Sequence, residues 1–504
     1  MRQPRNLGDL IDHSLDPARP AVIDLREPDA PRVWTHGEID GLANGVARLL
    51  QEKGLPRGAA VGILSLNRAE YLATYFGIMR AGYVAVPVNV KLPRDTVSYI
   101  LGDAAIRLAF VDMLGHDLVE GAVETVGFDD PGPDGFAARV RPGPFETVEV
   151  GADEVGQMLY TSGSTGRPKG VGLSHAGQLW AISTRIGEAG PDERYMVAQP
   201  LFHMNGLFSA KVVFATNASL VLMPGFETRR YLEALAGHRV SALTAVPTMF
   251  ARLIKETDLF ERLDLSALKR IGLASAPITQ GLLDRIKAMF PAAKFGLGYG
   301  TTEAGPAVFG PHPGGLPTPP MSIGYPLAHG AELKLVDGPN EDEGVLMMRN
   351  PAVMAGYHNL PQQTGKALRD GWYYSGDVMR RDKDGFYYFV GRADDMFVCS
   401  GENIYPGEVE KMLERHPAVQ QAAVVPLPDE ERSQVPVAFL VARPGARIDP
   451  AAIKDFALAN GPAYQHPRRI EILPELPWAG TNKIDRRALI DRARELEAQH
   501  QWAR

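Results

Sequence analysis

Helical and strand patterns alternate through the first two thirds of this 504-residue chain. Residues 68–80 carry apolar side chains at helical spacing, and Gly82 is placed to end that helix. The apolar stripe consists of Tyr71, Leu72, Tyr75, Ile78 and Met79. Short buried strands are predicted at Tyr83–Val86, Ile106–Val111, Ser219–Leu222 and Ala242–Val246. This alternation predicts an α/β fold with two doubly wound parallel sheets.

The pattern changes after about residue 310, where strands are predicted to follow one another without helices. The clearest hairpin turns at Asp384-Gly385, because this pair accepts the positive φ values of a tight turn. From Arg392 onward, helices are predicted at 407–414 and 450–459, and strands at 421–425 and 435–441. We therefore expect an N-terminal domain of residues 1–391, with a small β-barrel-like unit at about 310–391. A small mobile α+β domain of residues 392–504 is expected to follow.

Bulk composition excludes several classes of protein. The 53 basic and 60 acidic residues give a net charge of −7, which argues against a nucleic-acid partner. The single cysteine, Cys399, excludes an intramolecular disulfide and a cysteine-based zinc cluster, and it suits a reducing compartment. No apolar run approaches the roughly 18 residues that span a bilayer, and no secretory signal is recognisable. We expect a cytoplasmic protein without integral membrane association.

Residues 160–171 read Tyr-Thr-Ser-Gly-Ser-Thr-Gly-Arg-Pro-Lys-Gly-Val, which has the features of a phosphate-binding loop. Glycines let backbone N–H groups approach an anion, the hydroxyl groups add donors, and Lys169 adds a positive charge. The spacing is not that of a Walker A loop, because Arg167 and Pro168 precede the lysine. On composition alone, a flexible surface turn is the simpler interpretation.

Further motifs follow in order along the chain. Residues 298–306 (Gly-Tyr-Gly-Thr-Thr-Glu-Ala-Gly-Pro) offer an aromatic face for adenine, a hydroxyl for phosphate and a carboxylate for Mg²⁺. Residues 374–377 end in an aspartate that can accept two ribose hydroxyl donors. Residues 391–395 contain Arg392, and residues 481–486 read Thr-Asn-Lys-Ile-Asp-Arg. Any one of these charged residues alone would more often belong to a surface ion pair.

Together, these motifs and the order of residues 160–171 closely resemble the adenylate-forming superfamily. That family includes acyl-CoA and aryl-CoA synthetases, nonribosomal peptide adenylation domains and beetle luciferases. The resemblance implies catalytic roles for Lys483, Thr302 and Glu303, with Glu303 holding Mg²⁺. The implied ATP and AMP contacts are Thr161, Ser162, Gly163, Ser164, Thr165, Gly166, Lys169, Ala274, Ser275, Ala276, Tyr299, Gly300, Thr302, Asp377, Arg392 and Lys483.

The resemblance also implies a moving C-terminal domain that pivots at Asp394. Ser400, Gly401 and Glu402 would then lie along a tunnel for CoA. The neighbouring Cys399 is interpreted as a buried small apolar residue, because the reacting thiol of this family belongs to CoA. The chain departs from the family pattern at Asn482, where the family's usual residue is glycine, and at Val398, where many members carry lysine.

The implied reaction has two steps. An ionised carboxylic acid would attack the α-phosphate of ATP to form an acyl-adenylate, and CoA would then form the thioester and release AMP. Residues 200–207 lack the aspartate by which amino-acid-activating members pair with an ammonium group, which favours the acyl-CoA and aryl-CoA ligases. The implied acid pocket consists of His203, Asn205, Phe208, Gly298, Ala304 and Val308, adjoining Ala274, Ser275 and Ala276.

Residues 298–308 look most like 4-coumarate:CoA ligases, so we expect an aryl or hydroxycinnamate-like acid. A small apolar pocket would equally accept a short branched or hydroxylated acid or a medium-chain acid. A catalytically silent ATP-binding sensor is a further alternative, since a fold does not fix a function. The expected partners are the small-molecule acid, ATP with Mg²⁺, and CoA, and a homodimer is left open.

Overall fold

The computed structural model describes residues 4–161, 167–276, 278, 280–306, 308–327, 330–400, 402–429, 431–479, 483–499 and 502. Within these ranges, the side chains of Glu188, Ser433, Ala479 and Lys483 are outside the description.

The segment up to residue 297 alternates strands and helices as predicted. Its strands are β1 (Pro20–Asp24), β2 (Arg32–Thr35), β3 (Ala60–Leu64), β4 (Val84–Pro87), β5 (Leu108–Val111), β6 (Glu124–Gly127), β7 (Val155–Thr161), β8 (Lys169–Ser174), β9 (Arg194–Val197), β10 (Ser219–Leu222), β11 (Ala242–Ala245), β12 (Arg270–Leu273) and β13 (Lys294–Leu297). Its helices are α1 (His36–Glu52), α2 (Ala69–Arg80), α3 (Arg94–Asp103), α4 (Met113–Val119), α5 (Phe136–Arg139), α6 (His175–Ser183), α7 (Met204–Ala215), α8 (Thr228–Gly237), α9 (Pro247–Leu253), α10 (Thr257–Arg262) and α11 (Gln280–Met289).

Two mainly parallel sheets organise this segment. One has the strand order β13-β12-β11-β9-β10-β1-β2, in which β2 is antiparallel to β1 and the other neighbours are parallel. The other has the order β8-β7-β4-β3-β5-β6, in which β8 is antiparallel to β7. Helices separate the strands in the chain, which confirms the predicted α/β class.

Helix α2 differs from its prediction. The sequence pattern indicated an amphipathic helix with one apolar stripe, but every residue of Ala69–Arg80 is buried. The buried Arg80 of this helix has internal partners: it donates to Asp40 at 2.5 Å and to the Gly8 carbonyl at 2.7 Å. Because buried charged groups are tolerated only when paired, α2 can lie at the centre of the domain rather than on its surface.

The segment from residue 309 to residue 392 forms an antiparallel sheet in the order β16-β17-β20-β19. Strand β21 also pairs with β20, along residues 377–381, whereas β19 pairs with residues 372–373. Its elements are β14 (Phe309–Gly310), β15 (Tyr325–Pro326), β16 (Glu332–Asn340), β17 (Glu343–Arg349), β18 (Gly356–Tyr357), α12 (Pro361–Ala367), β19 (Leu368–Arg369), β20 (Trp372–Arg381) and β21 (Tyr387–Arg392). The expectation of strands without helices was wrong, because α12 interrupts them. Strand β18 leaves this sheet and pairs with β8.

The predicted hairpin turn joins β20 to β21, but its backbone conformation differs from the expected tight turn. Only Gly385 takes a positive φ, of 85°, and Asp384 is not among the residues with positive φ. The Gly385 N–H donates to the Asp382 carbonyl, and the Asp382 carboxylate accepts from the Asp384 and Phe386 N–H groups. The turn is therefore a wider one that ends in a left-handed glycine rather than a two-residue turn.

The C-terminal segment contains β22 (Phe397–Cys399), β23 (Glu402–Ile404), α13 (Pro406–Leu413), β24 (Val419–Asp429), β25 (Ser433–Ala442), α14 (Pro450–Asn460), β26 (Arg469–Ile472), β27 (Trp478–Ala479), β28 (Lys483–Ile484) and α15 (Arg486–Ala498). Its main sheet has the order β23-β22-β25-β24, with β26 on β25. A separate cluster of buried residues lies between Phe397 and Leu496. Cys399 belongs to that cluster with no exposed surface, as expected of a small apolar residue. Within the described ranges, no helix is long and apolar enough to cross a membrane.

Candidate active site

The candidate segments 274–276 and 298–306 follow the carboxyl ends of β12 and β13, where open parallel sheets commonly bind ligands. The Ala274 N–H donates to the Ala245 carbonyl at 3.2 Å, and the Gly298 N–H donates to the Leu273 carbonyl at 2.8 Å. A Cβ atom on Gly298 would lie 3.2 Å from that of Ala274, so these two backbones are in close contact. The segments 274–276 and 298–306 therefore enter the site side by side.

The structure brings together Tyr299, Asp377 and Arg392, which are far apart in the sequence. The Tyr299 hydroxyl donates to Asp377 Oδ2 at 2.5 Å, and Arg392 Nη1 donates to Asp377 Oδ1 at 2.9 Å. Arg392 also donates to Asp394, at 2.9 Å from Nε. Gly376 has a φ of 70°, and a Cβ there would lie 3.0 Å from Arg392 Nη2. This glycine lets the arginine reach the aspartate.

The electrostatics of this cluster keep Tyr299 a neutral donor and Arg392 a cation. Burial raises the pKa of Tyr299 well above its usual range, and the charge of Asp377 adds to the shift, so this tyrosine stays a donor. Burial opposes the charge of Arg392, but its hydrogen bond with Asp394 and the charge of Asp377 raise its pKa overall. A carboxylate held beside a permanent cation is a strong acceptor for hydroxyl donors such as those of ribose.

A second cluster joins Glu303 to Lys169 through Tyr357. The Tyr357 hydroxyl donates to Glu303 Oε1 at 3.0 Å, and Lys169 Nζ lies 4.7 Å from the centre of the Tyr357 ring. Burial raises the pKa of Tyr357, and the charge of Glu303 raises it further. Sequence reasoning missed Tyr357, because its place depends on the pairing of β18 with β8, which the local sequence does not reveal.

The predicted phosphate loop joins β7 to β8. Thr161 and Lys169 face each other across this hairpin, whereas Ser162, Gly163, Ser164, Thr165 and Gly166 lie outside the described residues. The hairpin is braced on one side, where the Tyr160 hydroxyl donates to Asp103 at 2.6 Å. Gly300 and Thr302 lie in the loop after β13, and Thr302 is partly exposed.

The residues expected to line the acid pocket differ in their exposure to solvent. His203 caps the N-terminus of α7 and is exposed, and Asn205 Nδ2 donates to Ser275 Oγ at 3.0 Å. Ala304 and Val308, in contrast, have no exposed surface and belong to the main core.

The C-terminal candidates begin with Asp394, which contacts the first cluster through Arg392. Asp394 is an exposed residue of the turn between β21 and β22, Ser400 has a φ of 55°, and Glu402 is exposed. Gly401 lies outside the described residues, as does the side chain of Lys483. Arg486, three residues further on, donates to both carboxylate oxygens of Glu410, at 2.6 and 3.0 Å, and so fixes the start of α15 to α13.

The resemblance implies Mg²⁺, and the donor set of Glu303 is compatible with it. Tyr357 donates to Glu303 Oε1, and the part of the chain that the structure describes provides no hydrogen bond to the other carboxylate oxygen. Within the described residues, no group of three or more acidic, histidine or cysteine side chains could form a metal site. One carboxylate is sufficient when nucleotide phosphates supply further oxygen ligands, since protein-bound Mg²⁺ commonly keeps such a mixed set.

Comparison with known proteins identifies the family. A model of the AMP-binding enzyme family matches residues 13–358, and a model of the AMP-binding enzyme C-terminal domain matches residues 408–483. The chain belongs to the AMP-binding enzyme family. This confirms the predicted adenylate-forming superfamily and an AMP-forming ligase.

Individual relatives extend over almost the whole chain. It is 32% identical to a feruloyl-CoA synthase of Amycolatopsis sp, covering 89% of this chain and 92% of that protein. It is 28% identical to 4-coumarate–CoA ligase 1 of Solanum tuberosum, covering 94% and 90%. The solved anthranilate CoA ligase AuaEII in complex with anthranoyl-AMP superimposes with a TM-score of 0.89 at 28% identity, covering 99% of each chain.

The hydrogen bond from the Tyr357 hydroxyl to Glu303 leads to a prediction about the Mg²⁺ dependence of nucleotide binding. We expect Tyr357→Phe to raise the Mg²⁺ concentration for half-maximal nucleotide binding about tenfold, because Glu303 loses the donor that orients it. The phenyl ring still faces Lys169. Calorimetric titration of ATP at a series of Mg²⁺ concentrations measures the change. Tyr388→Phe, which removes a hydroxyl bonded to Asp382 at 2.9 Å, is the matched control. Equal Mg²⁺ dependence in both variants would contradict a role for Tyr357 at the cation.

Proposed function

We propose that this enzyme is an ATP-dependent carboxylic acid:CoA ligase that forms an acyl-adenylate, then an acyl-CoA, and releases AMP and pyrophosphate. The main support is the pair of hydrogen-bonded clusters on the loop after β13, in which Tyr299 joins Asp377 and Arg392 and Glu303 accepts from Tyr357. These groups can bind ribose hydroxyls and a phosphate-bound cation. The names of the relatives described above, feruloyl-CoA synthase and 4-coumarate–CoA ligase, denote enzymes of this class.

In this mechanism the protein supplies position and charge rather than a general base. A carboxylic acid is already ionised at neutral pH and can attack phosphorus directly. Asp377 would hold the ribose, Lys169 and the 161–169 loop would bind the phosphates, and Lys483 would neutralise charge that develops at the α-phosphate. Glu303 would hold Mg²⁺, which supplies positive charge to the departing pyrophosphate.

The second half-reaction needs Lys483 to leave and CoA to enter. A turn at Asp394 between two sheets, exposed and held by Arg392, is compatible with a pivot at this position. Ser400, Gly401 and Glu402 would then approach the adenylate and line the path of the CoA thiol.

For the substrate, we infer an aryl or hydroxycinnamate-like acid. The names of the feruloyl-CoA and 4-coumarate relatives support this class. His203 and Asn205 provide polar groups at the start of α7, next to Ser275.

The deciding experiment measures AMP release from ATP, with and without CoA, across cinnamic, benzoic, short hydroxylated and medium-chain acids. CoA-dependent AMP release with the aryl acids supports both parts of the proposal. Turnover with only short or medium-chain acids would keep the ligase and reject the substrate class. ATP binding without turnover of any acid would reject the ligase and favour the ATP-binding sensor.

A further inference from the structure

Helix α7 carries a buried polar group next to Phe208, one of the residues expected to line the acid pocket. Asn205, Phe208 and Lys211 are spaced three residues apart, so each lies beside the next along the helix. A rise of about 1.5 Å per residue places Lys211 about 9 Å along the helix axis from Asn205. The Phe208 ring centre lies 6.0 Å from Lys211 Nζ. Lys211 therefore lies deeper in the domain than Asn205, on the far side of Phe208.

The environment of Lys211 is unusual for a lysine, because the side chain has no exposed surface. Its ammonium group donates to Gln178 Oε1 at 2.6 Å and to Gln157 Oε1 at 3.4 Å. Neither partner is charged, and the described residues provide no ion pair for it. Burial lowers the pKa of Lys211 to about 7. A buried charge without a counter-ion is costly, so a structural role in stability is a poor explanation for this lysine.

The polar groups at and around Lys211 include more hydrogen-bond donors than acceptors. An ammonium group has three protons, and the described residues supply two acceptors for it. Gln178 Nε2 is also buried, without a hydrogen-bond partner in the described part of the chain. The Gln157 carbonyl oxygen is already shared, since the Tyr75 hydroxyl donates to it. The cluster therefore lacks an oxygen acceptor.

We propose that Lys211 and Gln178 form the inner end of the acid pocket and select acids that carry a second oxygen acceptor remote from the reacting carboxylate. A ring hydroxyl or a second carboxylate has the required chemistry. The inference rests on the proposed ligase function and narrows its substrate class. An acid without the second oxygen leaves buried donors unpaired, and sites built to bind a substrate oxygen reject such analogues strongly.

The test compares matched acids that differ only at the remote position: cinnamic acid, 4-hydroxycinnamic acid and 4-carboxycinnamic acid. The measured quantity is the ratio of kcat/KM between each substituted acid and cinnamic acid. Wild-type enzyme should prefer at least one substituted acid, and Lys211→Met should lower that ratio about tenfold or more. Gln178→Glu should lower the ratio for the carboxylated acid more than for the hydroxylated acid, because it gives Lys211 an internal anion.

One control and one additional test variant separate substrate selection from a general structural effect. Lys287→Met removes an exposed lysine of α11 and should leave both ratios at the wild-type values. Lys211→Leu provides a second variant, with the same expected direction, if Lys211→Met does not fold. Turnover with ratios that neither variant changes would overturn the inference while leaving the ligase intact. Absence of CoA-dependent AMP release with every acid would overturn both.

Discussion

Replacing Lys483 with alanine should slow acyl-adenylate formation from ATP about a thousandfold, while thioester formation from supplied acyl-adenylate and CoA continues. The first step builds charge at the α-phosphate, and loss of one positioned donor to such charge costs about 2.7–4 kcal/mol. The second step uses an adenylate that is already formed. Pyrophosphate exchange into ATP measures the first step, and single-turnover thioester formation measures the second.

The control for Lys483→Ala is Arg487→Ala, which removes an exposed cation of α15 four residues away. It should change neither half-reaction by more than about twofold, since exposed charges contribute little. Equal loss of both half-reactions in Lys483→Ala would contradict a lysine that acts in adenylation alone. It would instead favour a general role of residues 481–486 in folding or in the packing of β27 against β28.

The sequence predicted the fold class well, because hydrophobic periodicity reports on local burial. It failed where burial depends on the whole domain. The stripe of α2 has the spacing of a surface helix, yet all of Ala69–Arg80 is buried. Arg80 is compatible with this position only because Asp40 and the Gly8 carbonyl, from other parts of the chain, accept from it. No local pattern reveals such partners.

The sequence likewise predicted only part of the candidate site. Motifs identified Tyr299, Asp377 and Arg392, and these residues do form one hydrogen-bonded cluster. Tyr357 was missed because its contact with Glu303 requires the pairing of β18 with β8. The complete burial of Ala304 and Val308 also depends on packing in the whole domain, which the motif does not reveal.

Asp377→Ala is expected to raise the KM for ATP at least about a hundredfold, with a much smaller effect on folding. Two ribose hydroxyls would lose a charged acceptor, and hydrogen bonds to charged groups contribute about 1.5–3 kcal/mol each. The lower limit of the two together, about 3 kcal/mol, corresponds to roughly a hundredfold. Initial rates of pyrophosphate release at increasing ATP concentration measure the change.

The effect on stability distinguishes nucleotide binding from a structural role of Asp377. Arg392 loses one partner but keeps Asp394 at 2.9 Å and the Ser375 carbonyl at 3.0 Å, and it is 41% exposed. Its charge stays paired and hydrated, but the partly buried Tyr299 hydroxyl loses its acceptor, so we expect the free energy of unfolding to fall by about 1–3 kcal/mol. Asp342→Ala, which removes the exposed partner of Arg381 in the same sheet, is the matched control and should leave the KM for ATP unchanged. A loss of several kcal/mol in urea unfolding, with a wild-type KM, would show that Asp377 serves the fold and not the nucleotide.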